Sequence, residues 1–215
     1  MNLNTDTKLF LGIGIITVIL IVVASIFLTR QQKSPTLEGP SVDTKILVRD
    51  DSQIQSTPSA RLTLVEFADF QCPACGQAHP LVKGLVEKYK NNLNYVFRHF
   101  PLPQHKNGFT ASVAAEAAAS QNKFWEMQDN LFSNQSEWSD LNDSNAIFKK
   151  YAKELGLDTK KFEADLKNKN IKNKINSDTA DGKSLGVNST PTFFLNGQRM
   201  QNFGDIETII KSEIK

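Results

Sequence analysis

Hydrophobic residues form one long uninterrupted segment near the start of the chain and shorter, patterned runs after it. The long segment, Leu9 to Leu28, contains no charged residue. About 20 helical residues extend roughly 30 Å, the thickness of the hydrocarbon core of a bilayer. The segment therefore predicts a transmembrane helix over residues 9–28, after a short tail at residues 1–8. A buried core helix is one alternative. A cleaved signal peptide is another, because Val22 and Ala24 form a small-residue cleavage site, although apolar residues continue beyond it.

The composition changes after this segment. Residues 29–43 are rich in Gln, Ser, Pro, Thr and Gly, which is typical of a flexible tether. The apolar triplet Ile46 to Val48 favours a short edge strand, and residues 50–60 have the composition of turns. The sequence thus predicts a folded domain over residues 44–215.

The domain opens with a strand, a helix and a second strand. Arg61 to Ala68 (RLTLVEFA) predicts a buried parallel strand, and Asn94 to Phe100 predicts the next one. Between them, helical signals run from Cys72 to about Lys90. Pro73 suits the first turn of that helix, whereas Pro80 falls inside it and predicts a kink. This order corresponds to a right-handed crossover unit.

A helical block follows, and the chain returns to strands at its end. The pattern predicts helices over Thr110–Ser120, Lys123–Phe132, Ser144–Leu155, Thr159–Leu166 and Asn168–Leu185. The final elements are a strand, a two-residue hairpin turn, a partner strand and a helix, over Pro191–Leu195, Asn196–Gly197, Gln198–Asn202 and Asp205–Ile214.

Composition narrows the function classes. The chain has 215 residues and a formal net charge of +2, which is too small to indicate a nucleic-acid partner. Two cysteines cannot build a disulfide framework. The three histidines lack zinc-finger spacing, so we expect no metal site and no cofactor.

The two cysteines, Cys72 and Cys75, lie in a Cys-Pro-Ala-Cys run at the predicted start of a helix. A helix N-terminus offers unpaired N–H groups and a partial positive charge, which stabilise a thiolate. The pair therefore predicts a disulfide that opens and closes. The alternative is a permanent disulfide, although closing so small a loop stabilises little. A CxxC beside a crossover unit also indicates the thioredoxin architecture.

Four motifs extend this interpretation to almost the whole domain. They are LVEFADFQCPACGQAHP, FRHFPLP, KFWEMQDNLF and GVNSTPTFFLNG, which begin at Leu64, Phe97, Lys123 and Gly186. In this order they resemble DsbA-like thioredoxin-fold thiol:disulfide oxidoreductases of the membrane-anchored type. The resemblance covers residues 44–215. It implies an α/β thioredoxin fold with a helical subdomain inserted at about residues 108–186, preceded here by the transmembrane helix.

The resemblance also implies roles for single residues. Cys72 corresponds to the exposed nucleophile and Cys75 to the buried resolving thiol. Pro191 corresponds to a cis-proline facing the active site, and Thr190 would present its backbone to a bound client peptide, although Pro191 also fits an ordinary strand start. Glu66 occupies the place of a buried acid beneath the cysteines.

Glu66 is also expected to be buried from its apolar neighbours Leu64, Val65 and Phe67. A buried carboxyl group has a raised pKa and can relay a proton to or from Cys75. The alternatives are a surface carboxylate on an edge strand, or a buried one that is only bonded to a water molecule or a lysine.

The residues between the cysteines, Pro73 and Ala74, depart from the histidine-containing motif of the most strongly oxidising members. We therefore expect a moderately oxidising couple.

The remaining polar and aromatic candidates have structural interpretations that we favour. His79 would either tune the thiol or simply pack. His99 and His105 would position the loop at residues 101–107. The aromatic and apolar residues Phe124, Trp125, Met127 and Phe132 would form core rather than a substrate groove. The lysines Lys160, Lys161, Lys167, Lys169, Lys172 and Lys174 would form a solvated helix face, with a membrane-surface role as the alternative.

These observations predict a membrane-bound, single-pass, extracytoplasmic oxidase that introduces disulfides into secreted or envelope proteins. Its partners would be reduced cysteine-containing secreted proteins, a quinone-linked membrane protein that reoxidises the disulfide, and lipid around residues 9–28; we expect a monomer. The alternatives are a disulfide isomerase or reductase, and a non-catalytic membrane-tethered binding module.

Charge alone does not fix the orientation of the anchor. Lys8 precedes the apolar segment, and Arg30 and Lys33 follow it. The positive-inside rule therefore points weakly towards a cytoplasmic domain. We expect the opposite orientation, because a reversible disulfide in a tethered domain suits an oxidising compartment.

Overall fold

The computed structural model describes residues 14–25 and 41–214, which belong to two separate units of the chain. In the first unit, residues 14–25 are helical. The predicted transmembrane segment extends past these residues at both ends, and residues 9–13 and 26–28 lie outside the described part of the chain. Within the described ranges, no helix is both long and apolar enough to cross a membrane.

The second unit contains a mixed sheet, which has five strands within residues 41–214. The strands are β1 (Gln53–Gln55), β2 (Leu62–Ala68), β3 (Leu93–His99), β4 (Thr192–Leu195) and β5 (Gln198–Arg199). Their order across the sheet is β1-β3-β2-β4-β5. β2 and β3 are parallel, whereas β1 with β3, β2 with β4 and β4 with β5 are antiparallel.

Helices cover the sheet and fill the long connection between β3 and β4. They are α1 (Thr44–Leu47), α2 (Pro73–Lys88), α3 (Gly108–Ala119), α4 (Phe124–Ser133), α5 (Gln135–Trp138), α6 (Asn145–Glu154), α7 (Thr159–Asp165), α8 (Lys169–Ser184) and α9 (Ile206–Glu213). The strand–helix–strand unit formed by β2, α2 and β3 is confirmed, and α2 continues through Pro80. The helices predicted within residues 110–185 are also confirmed, with ends that differ by at most two residues.

Both faces of the sheet are buried. Along β2, Leu62, Leu64 and Ala68 belong to a large core that also contains residues of α2 to α4. Val65 and Phe67, which alternate with them, belong to a smaller core on the other face with Phe194. Burial of both faces explains the near-continuous apolar run of this strand.

The strand predicted at Ile46 to Val48 is wrong, because this segment forms the single helical turn α1. The side chain of Asp43 accepts a hydrogen bond from the backbone N–H of Lys45 at 2.9 Å and so caps the turn. Leu47 then packs into the core on the second face of the sheet. The apolar triplet thus anchors a helical turn.

The prediction of turns throughout residues 50–60 is also wrong, because β1 lies within them. β1 pairs with β3, with Ile54 opposite Val96. Its sequence Gln-Ile-Gln carries little strand signal, so it depends on the edge of the sheet that β3 offers. At the other edge, the turn at Asn196–Gly197 is confirmed, with positive φ at both residues, but its partner strand ends at Arg199 rather than residue 202.

Candidate active site

The cysteine pair lies where β2 gives way to α2. Cys72 is the N-cap residue of α2, with an extended backbone, and Pro73 is the first helical residue. Proline is well suited to this position because its missing N–H would have no helical partner there. Both cysteines are free thiols. In its thiol form, Cys72 donates a hydrogen bond from its Sγ atom to the carbonyl oxygen of Thr190 at 3.3 Å.

The two thiols differ in exposure, but less than we expected. Cys72 is 7% exposed and Cys75 is fully buried. The expectation of a freely exposed Cys72 is therefore wrong, because the Thr190 segment, 118 residues further along the chain, comes against its sulfur. Cys72 is nevertheless the thiol nearer to solvent.

The protein has opposite effects on the acidity of the two thiols. A hydrogen bond from the Cys75 thiol, together with the backbone N–H groups of Cys75 and Ala74, lowers the pKa of Cys72 to about 5, although burial opposes this effect. Burial is the main cause that raises the pKa of Cys75 far above its ordinary value, and the hydrogen bond with Cys72 and the charge of Glu66 act in the same direction. Cys72 is therefore the thiolate of the pair at neutral pH.

The Thr190–Pro191 peptide bond is cis, as the resemblance implied. Thr190 is mostly buried, and β4 begins directly after Pro191, at Thr192. We call residues 69–72, between β2 and α2, the cysteine turn. Because β4 pairs with β2, the segment before β4 lies at the end of the sheet where β2 leads into this turn. The sheet thus brings Thr190 and Pro191 to Cys72.

Glu66 is buried on β2, as its apolar neighbours predicted. The hydroxyl of Tyr95 on β3 donates a hydrogen bond to its carboxylate. Burial raises the pKa of Glu66 to about 7, and the Tyr95 hydrogen bond only partly opposes this rise. Glu66 is therefore close to half-protonated at neutral pH, and its charge acts on Cys75.

A second buried carboxylate, Asp69, organises the loop before the cysteines. It accepts hydrogen bonds from the backbone N–H groups of Gln71 and Leu102, both at 2.8 Å. The Nδ1 atom of His105 lies 2.6 Å from the Oδ2 atom of Asp69, which is also the oxygen that accepts from Leu102. Sequence reasoning missed this residue, although a carboxylate one residue before Phe70 in an otherwise apolar run was a signal that could have identified it.

Two further residues of the site, Tyr95 and Gln135, were also missed. Tyr95 was assigned only to a strand, and its contact with Glu66 depends on the register of β2 with β3. Gln135 begins the unpredicted helix α5, and its Nε2 atom donates to the carbonyl oxygens of Phe70 at 2.6 Å and Cys72 at 3.0 Å. A four-residue helix leaves no periodic signal that would reveal it.

The histidines have structural roles. His79 is buried against the ring of Phe132, and its Nε2 atom lies 2.8 Å from Asp129. Burial lowers the pKa of His79. His105 holds the loop at residues 101–107 through Asp69, as expected, whereas His99 pairs with Glu116 at 2.8 Å. The described residues contain no group of three His, Cys, Asp or Glu side chains that could hold a metal ion.

The remaining candidates divide between core and surface. Phe124, Met127 and Phe132 belong to the core, as predicted. Trp125 is only partly buried and lines a cavity of about 190 Å³ between α2 and α4. The basic run is not a uniformly solvated face, because Lys174 is largely buried and donates to Glu116 at 2.8 Å.

The chain matches one protein family model and several known relatives. The family model for thioredoxin matches residues 50–212. The Na(+)/H(+) antiporter NhaA 1 of Mycobacterium sp. (strain KMS) is 37% identical over 164 residues, which are 74% of this chain and 26% of that protein. The chain thus spans about a quarter of the length of the curated relatives that it matches.

Solved structures share the fold at lower identity. BdbD from Bacillus subtilis, in its oxidised form, is similar with a TM-score of 0.69 and 19% identity, over 85% of this chain and 99% of that one. The α-DsbA1 protein of Wolbachia pipientis is similar with a TM-score of 0.67 and 22% identity, over 77% and 92%. At these levels of identity, the similarity shows that these proteins and this chain share a fold.

Proposed function

The chain belongs to the thioredoxin family, and we propose that it is a thiol–disulfide oxidoreductase that acts through Cys72 and Cys75. The observation that carries this proposal is the opposite perturbation of the two thiols at one helix N-terminus, with the pKa of Cys72 lowered to about 5 and that of Cys75 raised. Thiolate is both the attacking and the leaving species in disulfide exchange. A permanent structural disulfide has no need of such a difference.

The proposed cycle starts from the Cys72–Cys75 disulfide. A client thiolate attacks the Cys72 sulfur, a client–Cys72 bond forms, and the electron pair of the broken bond goes to Cys75, which takes up a proton. A second client thiolate then attacks the client sulfur of the mixed disulfide, and Cys72 leaves as a thiolate. The client dithiol loses two electrons and two protons. The chain gains the electrons and one of the protons, and the other proton goes to solvent.

The proposed direction is oxidation of the client. A thiol of low pKa is a good leaving group, so release of Cys72 is favoured over its renewed attack. Ala74 brings no charge to the sulfur, and we therefore expect a moderately rather than strongly oxidising couple. Reoxidation requires an acceptor of two electrons, for which we propose a quinone-linked membrane protein.

Glu66 is proposed as the group that exchanges a proton with Cys75. Cys75 is fully buried, and so it cannot take a proton directly from bulk water. The Glu66 carboxyl group, whose pKa is raised to about 7, holds a proton in a large fraction of molecules at neutral pH and can lose it again. Its electrostatic effect on Cys75 supports this pairing.

Thr190 and Pro191 are proposed to bind the client. The Thr190 carbonyl oxygen lies 3.3 Å from the Cys72 sulfur, so a client cysteine bonded to that sulfur would bring its backbone against this segment. Backbone pairing with an extended segment is independent of side chains, which suits an enzyme with many clients.

We also propose that the domain faces the outside of the cell from an anchor at residues 9–28. The support for an anchor is the length of the uncharged segment and the exposure of its apolar side chains between Ile15 and Val23, in the described helix. The support for the orientation is that a reversible disulfide suits an oxidising compartment. A membrane-impermeant alkylating reagent, added to intact cells after mild reduction, is expected to label Cys72. Labelling only after lysis would reject this location.

The activity is tested with the full chain in detergent and a reduced model protein that needs disulfides for its own activity. Cys72→Ser is expected to abolish oxidation of that protein, and an unchanged rate would reject catalysis. Equilibration with glutathione then gives the direction. A potential near the roughly −270 mV of thioredoxin would favour a reductase over the proposed oxidase.

A further inference from the structure

The helical insertion contacts the cysteine turn through the side chain of Gln135. This residue begins α5, and its Nε2 atom donates hydrogen bonds to two backbone carbonyls of the turn, those of Phe70 at 2.6 Å and Cys72 at 3.0 Å. The Cys72 carbonyl also accepts the N–H of Gly76 at 3.1 Å, which is the first helical hydrogen bond of α2. Gln135 therefore donates to the Cys72 carbonyl oxygen, which also accepts the first helical hydrogen bond of α2.

Gly76 leaves the space that this side chain occupies. A Cβ atom at position 76 would lie 2.4 Å from the Oε1 atom of Gln135 and 2.8 Å from its Cδ atom, both closer than real Cβ contacts. Glycine inside a helix is less favourable than alanine. The residue with the poorer helix propensity is thus the one that accommodates Gln135.

The position of Gln135 is itself fixed by a second set of contacts. The Nε2 atom of Gln71, from the cysteine loop, donates to the carbonyl of Ser139 at 2.8 Å. The Nδ2 atom of Asn107 donates to the carbonyls of Trp138, at 3.1 Å, and Leu141, at 2.8 Å. Gln71 and Asn107 therefore hold the end of α5 and the turn after it in place. Because Gln135 begins the same short helix, it has little freedom to move away from the cysteine turn.

We propose that Gln135 is a positioning residue for Cys72. By holding the Cys72 carbonyl, its carboxamide fixes the first turn of α2 and with it the backbone N–H groups of Ala74 and Cys75, which act on the Cys72 sulfur. Donors that are already in place stabilise a charge without reorganisation when it forms. The inference rests on the proposed function, because the orientation of these donors matters only if Cys72 reacts.

The test is a titration of the Cys72 thiol in the reduced full chain, followed by the ultraviolet absorbance of the thiolate. Gln135→Ala is expected to lower the acid dissociation constant of Cys72 by about three- to tenfold, because misplacing the backbone donors should cost the thiolate about as much as one hydrogen bond. Gln121→Ala is the matched control. Gln121 also bridges backbone groups within the insertion, through Asp158, but it does not contact the cysteine turn. The control is expected to titrate like the wild type.

A double-mutant cycle with Gly76 gives a second readout. Gly76→Ala alone is expected to displace the Gln135 side chain and to reproduce the weaker acidity of Gln135→Ala. Adding Gly76→Ala to Gln135→Ala should then change the acidity by less than about twofold, because the obstructing atoms are gone. Additive effects of the two substitutions would overturn the proposal.

The result that overturns the inference is a Gln135→Ala titration that superimposes on that of the wild type. This measurement needs no client protein. It therefore remains decisive if the chain proves inactive in disulfide exchange, an outcome that would reject the proposed function instead.

Discussion

Two buried glutamates in this molecule have opposite surroundings. Glu66, beneath the cysteine turn, accepts a hydrogen bond from the Tyr95 hydroxyl and forms no ion pair with any described residue. Glu116, on α3, lies 2.8 Å from both His99 and Lys174 and accepts a further hydrogen bond from Gln53 at 3.0 Å. Their exposures are nearly equal, at 2% and 5%.

The pKa values of the two glutamates differ because their partners differ, and not because one is more buried than the other. Burial raises the pKa of Glu66 to about 7, because one neutral hydroxyl does not compensate for lost hydration. Burial acts on Glu116 in the same direction, but His99 and Lys174 outweigh it and lower the pKa. Glu116 is thus an anion at neutral pH, and its contacts with His99, Lys174 and Gln53 link α3 and α8 to the sheet. Glu66 is the carboxyl group whose charge can change at neutral pH.

Near Glu116, a second buried charge also has charged partners. This is Arg98, which is fully buried on β3. Its guanidinium donates to Asp178 at 2.8 Å, to Asp181 at 2.6 Å and to the carbonyl of Leu47 at 2.7 Å. Lys174 lies 3.7 Å from Asp178 and 2.8 Å from Glu116, so it joins these residues to Glu116 in one ion-pair network. Each buried charge in it has an opposite partner, as a structural role requires.

The largest expected effect on stability comes from removing Arg98, the main partner of the buried Asp178. Arg98→Met leaves Asp178 buried without its main partner and is expected to lower the free energy of unfolding by about 3–5 kcal/mol. Urea unfolding at neutral pH measures it. The matched control is Arg61→Met at the exposed position just before β2, which should change stability by less than about 0.5 kcal/mol. A loss below about 1 kcal/mol for Arg98→Met would contradict the structural role of the network.

The next effect distinguishes the two glutamates by pH. The folded state raises the pKa of Glu66 from 4.5 to about 7, so the stability linked to this group is present below about pH 4.5 and is lost as the pH rises through 7. Glu66→Gln should therefore be more stable than the wild type by up to about 3 kcal/mol at about pH 8, and equal to it at about pH 4.

Glu116→Gln is expected to show the opposite dependence. Its folded pKa is lowered, so the stability linked to the carboxylate is present above the ordinary value of 4.5 and is lost as the pH falls through the lowered folded pKa. Urea unfolding of both variants between about pH 3 and 8 makes the comparison. Parallel curves for the two variants would mean that the glutamates are not distinguished by their partners.

The smallest effect sharpens the assignment of Tyr95. Tyr95→Phe removes the hydroxyl that partly opposes the raised pKa of Glu66, so that pKa should rise further, by about one unit or less. Infrared spectroscopy of the protonated carboxyl group over a pH series measures it. Tyr151→Phe is the control, because its hydroxyl contacts a different carboxylate, Glu137, at 3.1 Å. An unchanged carboxyl titration in Tyr95→Phe would show that the hydroxyl is not coupled to Glu66.

The sequence was sufficient where local pattern and chemistry agree. The apolar run of β2, Pro73 at a helix start and the spacing of Cys72 and Cys75 define the strand–helix unit and its redox pair. The burial of Glu66 also followed from its neighbours. Each of these inferences uses residues within about one turn or strand of each other, which is the range over which pattern determines structure.

Contacts between distant segments were not predictable in the same way. The cover over Cys72 comes from Thr190, and the burial of Lys174 comes from Glu116, which is 58 residues away. β1 forms by pairing with the edge of β3. The helix α5 is held by contacts with distant residues such as Gln71, which donates to the carbonyl of Ser139. Such elements have too little local pattern to be recognised without the fold.

The folded protein makes Cys72 the acidic thiol of the pair and leaves Cys75 inert. The most direct measurement is alkylation of the reduced full chain by iodoacetamide over a pH series, with each cysteine located by mass spectrometry. We expect modification of Cys72 with a midpoint of about pH 5 and no modification of Cys75 while the chain stays folded. A midpoint near that of an ordinary thiol, at about pH 8.5, or earlier modification of Cys75, would contradict it.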